Sequence, residues 1–303
     1  RLRVLRGGMV GVVLLAVVGA LQAAPPKDTP LARVLARVPA QPDLLVIVPR
    51  LDALVGGVQS FATAIGVRGT ESLSVDALAG EVLGAGKDLV LTSGPLVLAQ
   101  HAGQEEPVLY ALLKPDAQWT CAEEKGRVGK AMCYCFADGR QVARLGDDVV
   151  VFARERRTIE AVADSAQFLA DHLPEDVAAL VKQRDIVVWA NVPAWRDMLR
   201  FGLGFISQSF YMGIAQSGSN ADMLIQFYRV AFDRLNWLIG EMDTYTLGAS
   251  IGADGVTVQD RLVFRDDGAV AKYLAQIPGP QGNVLHGLRN VGMMSFGCEW
   301  NPP

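Results

Sequence analysis

The chain has 303 residues, of which 50% are apolar, 20% charged and 7% aromatic, and its formal charge is −4 at pH 7. A sequence this rich in Leu, Val and Ala and this poor in charge runs is not disordered, and four cysteines are too few for a disulfide-built miniprotein. The length suits one large or two ordinary domains, each able to bury a core of its own.

Residues 1–24 carry Arg1, Arg3 and Arg6, then an apolar run over residues 9–21, then Gln22, Ala23, Ala24 and Pro25. A basic stretch, a short apolar helix and small residues near Ala23 form the layout of a signal peptide. Leu21 departs from the small residue wanted at the −3 position, so an uncleaved N-terminal anchor is the alternative. No cysteine stands near Ala23 to take a lipid. The expected location is therefore the periplasm, cell envelope or extracellular space. Of 28 basic residues the leader takes three, leaving 25 against 32 acidic, a net −7. A mildly acidic chain has no footprint for a phosphate backbone, so nucleic acid is excluded as a partner. The basic spot at Arg154, Arg156 and Arg157 reads as a solvated first turn of a helix. The sequence starts without Met and stops directly after an apolar run, so both ends read as cut and the sequence as a fragment.

A Pro-rich linker, residues 25–30, leads into a helix over residues 31–38, ended by Pro39 and Pro42. Residues 44–48, an unbroken apolar run between Asp43 and Pro49, predict a buried strand, and residues 51–65 a helix. Ser74 is the expected N-cap of a helix over residues 74–83, with Gly84 to end it. Strands follow at residues 88–91, 95–100 and 107–113, the last two joined by a polar hairpin over residues 102–106. Residues 142–145 and 148–153 predict a hairpin turned by Gly146-Asp147, and residues 158–163 a helix.

From residue 185 the pattern starts over. The stretch from Asp185 to Pro193 echoes that from Asp43 to Pro49, and each leads into an apolar helix. A second hairpin, residues 245–251 and 256–264 about Asp254-Gly255, is followed by a helix over residues 269–274. The spacing implies a duplication about 142–144 residues apart. The expected fold is α+β: a first unit over residues 31–168 and a second over 169–303, each a mainly antiparallel sheet with helices on one face.

This order resembles an uncharacterised family of exported bacterial proteins, in which a signal peptide precedes repeated strand–helix units. The resemblance rests on residues 43–49, on Gly146-Asp147-Asp148-Val149-Val150-Val151 with Leu173-Pro174 beyond it, and on the Asp254-Gly255 hairpin. It spans most of the chain after the leader and implies an α+β fold without implying an activity. Cys133 and Cys135 depart from the pattern.

Residues 201–242 are unusually aromatic, with Phe205, Phe210, Tyr211, Phe227, Tyr228 and Trp237 among them. The plain expectation is a helix pair that covers the second sheet; the alternative is a contact surface for lipid, an apolar ligand or a partner helix. Ser217, Gly218, Ser219 and Asn220 mark the turn between the helices.

The one catalytic-looking string is Gly248-Ala249-Ser250-Ile251-Gly252, with Asp266 and His286 following in the order of a serine-hydrolase triad. A nucleophile elbow needs a helix directly after the serine, whereas an Asp-Gly turn and a second strand follow Ser250. Cys121, Cys133 and Cys135 are candidates for one local disulfide in an oxidising compartment, with buried thiols as the alternative; their spacing suits neither zinc nor a thioredoxin-type site. His101 and His172 stand apart from any other metal-type ligands. At Gly84-Ala85-Gly86-Lys87, Asp88 replaces the magnesium-binding Ser or Thr of a phosphate loop, which excludes nucleotide. Glu105-Glu106, Asp147-Asp148 and Asp266-Asp267 are turn carboxylates, not acid/base pairs. No cofactor or metal is expected. The reading is an exported, non-catalytic binding or scaffolding module whose partner is an envelope protein or lipid, with a secreted hydrolase using Ser250 as the alternative.

Overall fold

The computed structural model describes residues 29–67, 74–119, 122–128, 131–215, 221–274 and 276. Its elements in chain order are α1 (Pro30–Leu35), β1 (Leu44–Val48), α2 (Leu51–Ala64), α3 (Val75–Leu83), β2 (Leu96–Gln100), β3 (Val108–Leu112), β4 (Ala122–Val128), β5 (Ala131–Phe136), β6 (Gln141–Leu145) and β7 (Val149–Ala153). There follow α4 (Arg156–Ala163), α5 (Glu175–Val181), β8 (Ile186–Asn191), α6 (Val192–Ala215), α7 (Ala221–Glu241), β9 (Met242–Gly252), β10 (Gly255–Phe264) and α8 (Ala269–Leu274).

Two of the early helices start where a hydroxyl supplies the missing acceptor. Ala32 N–H donates to Thr29 Oγ1 at 3.2 Å, and Ala77 N–H to Ser74 Oγ at 3.0 Å, which satisfies one orphan donor of each first turn. Gly84 ends α3 with a φ of +54°, a conformation that suits a residue without a β-carbon. The chain then tightens into a 3-10 turn over Gly84–Leu89, so the strand expected at residues 88–91 is absent. Only Val90 pairs, as a single bridge to Leu113, because the turn consumes the residues that a ladder would need.

The strands form one antiparallel sheet of ten, in the order β10-β9-β8-β1-β2-β3-β7-β6-β5-β4. The expectation of two separate sheets is thereby corrected: β1 and β8 lie side by side, Leu44 opposite Ala190 and Ile47 opposite Val187. β1 is a run of branched apolar residues and β8 begins as one, and pairing them buries a backbone edge on each. The element order helix, strand, two helices, two strands occurs as α1-β1-α2-α3-β2-β3 and again as α5-β8-α6-α7-β9-β10. In the sheet the two strand triplets run outward from the β1/β8 pair in mirrored order.

Helices cover both faces of the sheet across β1–β3 and β5–β7, which corrects the expectation of one covered face there, while β10 at the edge is largely exposed. On one side α1, α4 and α5 bring Leu35, Ile159 and Val177 against Ile47, Val97 and Val151. On the other, α2 and α3 bring Leu51, Val55 and Leu83 against Leu96, Val150 and Phe152. Successive residues of β7 therefore enter opposite cores, and all five of its side chains are buried. Two covering layers are what an unbroken apolar strand requires; a strand with one wet face would alternate. The β4 edge carries Glu123, Glu124, Lys125 and Arg127, and a bulge interrupts its register between Glu124 and Gly126. Charges and a bulge on an edge hinder pairing with another chain.

The chain divides into two compact units. The first holds the described residues up to Ala190 together with Thr246–Arg261, and so nearly all of the sheet. The second holds Asn191–Tyr245 and the described residues from Leu262 onward, with α6, α7 and α8. The repeat boundary at residues 168 and 169 falls inside the first unit.

Candidate functional site

In the second unit α6 and α7 are 24 and 21 residues long, about 36 and 32 Å at the α-helical rise. They pack against each other, and Pro193 sits in the first turn of α6, where its missing N–H leaves no bond unmade. The seam between them is aromatic. Phe210 meets Tyr228 edge-on at 4.5 Å between ring centroids and Phe232 at 6.0 Å, and Tyr211 meets Phe232 at 5.8 Å. Rings at these separations and angles attract through their quadrupoles as well as their area.

The remaining apolar side chains of the pair face outward. Phe201 is 78% exposed, Phe205 67%, Phe227 66% and Trp237 42%, and Met198, Ile206, Met212, Met223 and Val230 are exposed with them. These exposures split the aromatic residues into two sets. Tyr211, Tyr228 and Phe232 hold the seam, with Phe210 bridging it, while Phe205, Phe227 and Trp237 form the outer surface. Exposed apolar residues scattered singly are ordinary, whereas here they are grouped along two neighbouring helices. The turn at residues 217–220 lies outside the described residues.

Below the pair, Glu241 is buried at the end of α7. Its carboxylate accepts from Arg265 Nη2 at 3.0 Å and from the backbone N–H groups of Ala269 (2.6 Å) and Val270 (3.4 Å), which closes the start of α8. Burial opposes the charge, but the two N–H groups and the guanidinium outweigh it and hold the carboxyl below its ordinary range.

The residues with a nucleophilic or metal-binding reading are placed as follows. Ser250 lies in β9, half-buried, and its Oγ donates to the Gln183 carbonyl at 3.3 Å. Its neighbour Ile251 donates its N–H to Asp185 Oδ2 at 3.0 Å, so this stretch is held in the ladder as a strand residue would be. Ser250 belongs to the first unit and Asp266, in an exposed turn, to the second; His286 lies outside the described residues. Cys133 and Cys135 are free thiols. Cys133 is in the core and burial pushes its thiol up, while Cys135 is half-buried and accepts from Gln141 Nε2 at 3.2 Å. Cys121 lies outside the described residues. His101 Nε2 is 3.1 Å from the Pro39 carbonyl, and its Nδ1 is buried without a partner in the described residues. His172 is exposed after a 3-10 turn. Among the described residues no three of His, Cys, Asp and Glu gather as a metal site would require.

An open cleft of about 630 Å3, which no local sequence pattern announces, lies in the first unit beside His101, Glu105, Glu106, Arg154 and Arg157. Two ion pairs line it: Arg154 bonds Glu106 and Arg157 bonds Glu155. The basic spot is thus a set of exposed ion pairs, with Arg156 reaching Glu160 one turn on at 3.2 Å. Glu106 and Arg154 are 48 residues apart, and no local pattern announces their meeting.

No family model matches the chain, and no curated protein matches it. Two solved structures are similar to it. The crystal form III structure of TP0453 has a TM-score of 0.38 and 12% identity, covering 80% of this chain and 84% of that one. Crystal form IV of TP0453 has a TM-score of 0.38 and 13% identity, covering 75% and 79%. Likeness at this level carries no functional weight. No helix among the described residues is long and apolar enough to cross a membrane.

Proposed function

We propose that the chain is an exported, non-catalytic module of the cell envelope, and that the outer surface of the α6–α7 pair is the part it uses for contact. The observation that carries this reading is the exposure of Phe201, Phe205, Phe227 and Trp237 on two long helices that already satisfy each other along an aromatic seam. Keeping such rings in water has a hydrophobic cost that burial against a partner recovers. The basic and apolar leader supports export. The mirrored strand triplets and the recurring element order support descent from one duplicated helix–strand unit.

Cell fractionation after expression with the native leader tests the reading. The wild-type chain is expected outside the cytoplasm and in the envelope fraction, and Phe205→Asp with Phe227→Asp is expected to release it into the soluble exported fraction. Cytoplasmic retention of the wild type, or an unchanged distribution of the double variant, overturns it. For the hydrolase alternative, Ser250→Ala is compared with wild type on short-chain nitrophenyl esters; turnover that disappears in the variant would replace this reading with an enzymatic one.

A further inference from the structure

The partner of this surface can be argued from the way polar and apolar residues are arranged about the helix pair. At about 100° per residue, Met198, Phe201, Phe205 and Met212 of α6 share one stripe, and Met223, Phe227, Val230 and Trp237 of α7 share another. The seam is fixed by the contacts Phe210–Tyr228 and Tyr211–Phe232. Measured from it, these stripes point away from the partner helix and form the two flanks of the pair. Leu199, Ile206, Leu224 and Leu235, all exposed, fall together on one broad side. Asp197, Gln208, Asp222, Arg229 and Asp233, also exposed, fall on the opposite broad side. The pair is a slab with one wet face, and its apolar surface wraps the other face and both flanks.

We infer that this slab lies flat in the interfacial layer of a lipid bilayer, its apolar face and flanks among the acyl chains and its polar face in water. The inference rests on the proposed contact role of the same surface and names what it contacts. Three apolar sides exceed what one protein groove covers, whereas fluid hydrocarbon closes around all of them at once. The depth suits an amphipathic helix lying in the headgroup boundary, about 5–10 Å, and the polar stripe keeps the helices from crossing. Trp237 and the phenylalanines are of the residue class that favours that boundary. Arg234 is the one charge on the apolar flanks, and its stem is long enough to carry the guanidinium to the headgroups. Arg196, Arg200, Arg229 and Arg234 face Asp197, Asp222 and Asp233, with Glu241 taken up by Arg265, so the excess is a single positive charge and the attraction is chiefly apolar.

The test is flotation of the full-length chain with phosphatidylcholine vesicles at low and at high salt. The wild type is expected to float in both, with less than a twofold change on adding salt. Phe205→Asp with Phe227→Asp is expected to reduce the bound fraction at least tenfold, with an unchanged melting curve because both side chains are exposed. Trp237 emission is expected to shift to the blue on vesicle addition, measured as the difference between wild type and Trp237→Phe. A wild type that stays in solution, a double variant that floats as well as wild type because the N-terminal apolar run alone holds it, or binding that requires anionic lipid each overturns the inference. A wild type that ignores vesicles but forms dimers that the double variant abolishes also overturns it, in favour of a second copy of the chain. If vesicle binding fails while fractionation still depends on Phe205 and Phe227, the contact role stands and the lipid partner falls.

Discussion

Gly57 of α2 lies so close to the Ile251 carbonyl in β9 that a β-carbon on the glycine would stand 2.2 Å from that oxygen. The helix can rest on the strand at that point only because the residue has no side chain. Its neighbour Gly56 has nothing within 4 Å of the same hypothetical atom.

The two glycines are therefore expected to respond with opposite signs. Gly57→Ala must push the helix off the strand and costs about 1–3 kcal/mol, the usual range for overpacking. Gly56→Ala removes backbone freedom from the unfolded chain at an open helical site and gains about 0.5–1 kcal/mol. Urea unfolding of both variants measures this, and equal effects would contradict the close approach.

The two-sided core makes a second expectation. Ile47 belongs to the core beneath α1, α4 and α5, and Phe152 to the one beneath α2 and α3. Ile47→Ala is expected to cost about 2–5 kcal/mol and Phe152→Ala about 3–5 kcal/mol. Because the two clusters share no residue, the double variant should lie within about 0.5 kcal/mol of the sum. Strong coupling in a double-mutant cycle would mean that the layers are not independent.

Glu241 links stability to pH. Its carboxyl is held below the ordinary value of 4.5, so the unfolded chain binds the proton more readily than the folded one. The stabilisation is fully present above that value and is lost as the pH falls through the lower, folded one. Glu241→Gln is expected to lower the melting temperature at pH 7, with the gap to wild type narrowing in acid as the wild-type carboxylate takes up its proton. A gap that is constant from pH 7 to pH 3 would deny the charge this role.

The thiols of β5 should differ in reactivity. Cys135 is half-buried and Cys133 is in the core with its thiol pushed up by burial, and it is the thiolate that reacts. Alkylation of the native chain followed by peptide mapping is expected to label Cys135 well before Cys133, with both labelled at once in denaturant. Residues two apart on a strand share a face but sit too far apart for the short Cβ separation of a disulfide, so a bridge between these two is not expected.

Much of the fold was legible locally. The run bounded by Asp43 and Pro49, the Gly146-Asp147 turn and the Asp254-Gly255 hairpin all form where turn chemistry and apolar spacing place them. What the local pattern could not carry is pairing over distance: nothing near Leu44 marks Ala190 as its neighbour, and so a single sheet was read as two. The five consecutive apolar residues Val149–Ala153 did hold the signal for two covering layers. The strand β4 is hidden by its own function as an edge, since Glu123, Glu124 and Lys125 erase the alternation that marks a half-buried strand. For the proposed contact surface, the aromatic content of residues 201–242 marked the segment as a helix pair. Periodicity tells which residues share a face and is silent on whether that face is covered, which only the exposures answer.

The seam between β1 and β8 also sets the tempo at which the chain can acquire its structure. The ribosome releases Leu44 long before Ala190, and until the later strand arrives the earlier one has an open backbone edge inside what will be the sheet. Contacts so remote in sequence slow folding, because a long loop must close before they return anything. The central ladder therefore cannot lock while half of the molecule is still unmade.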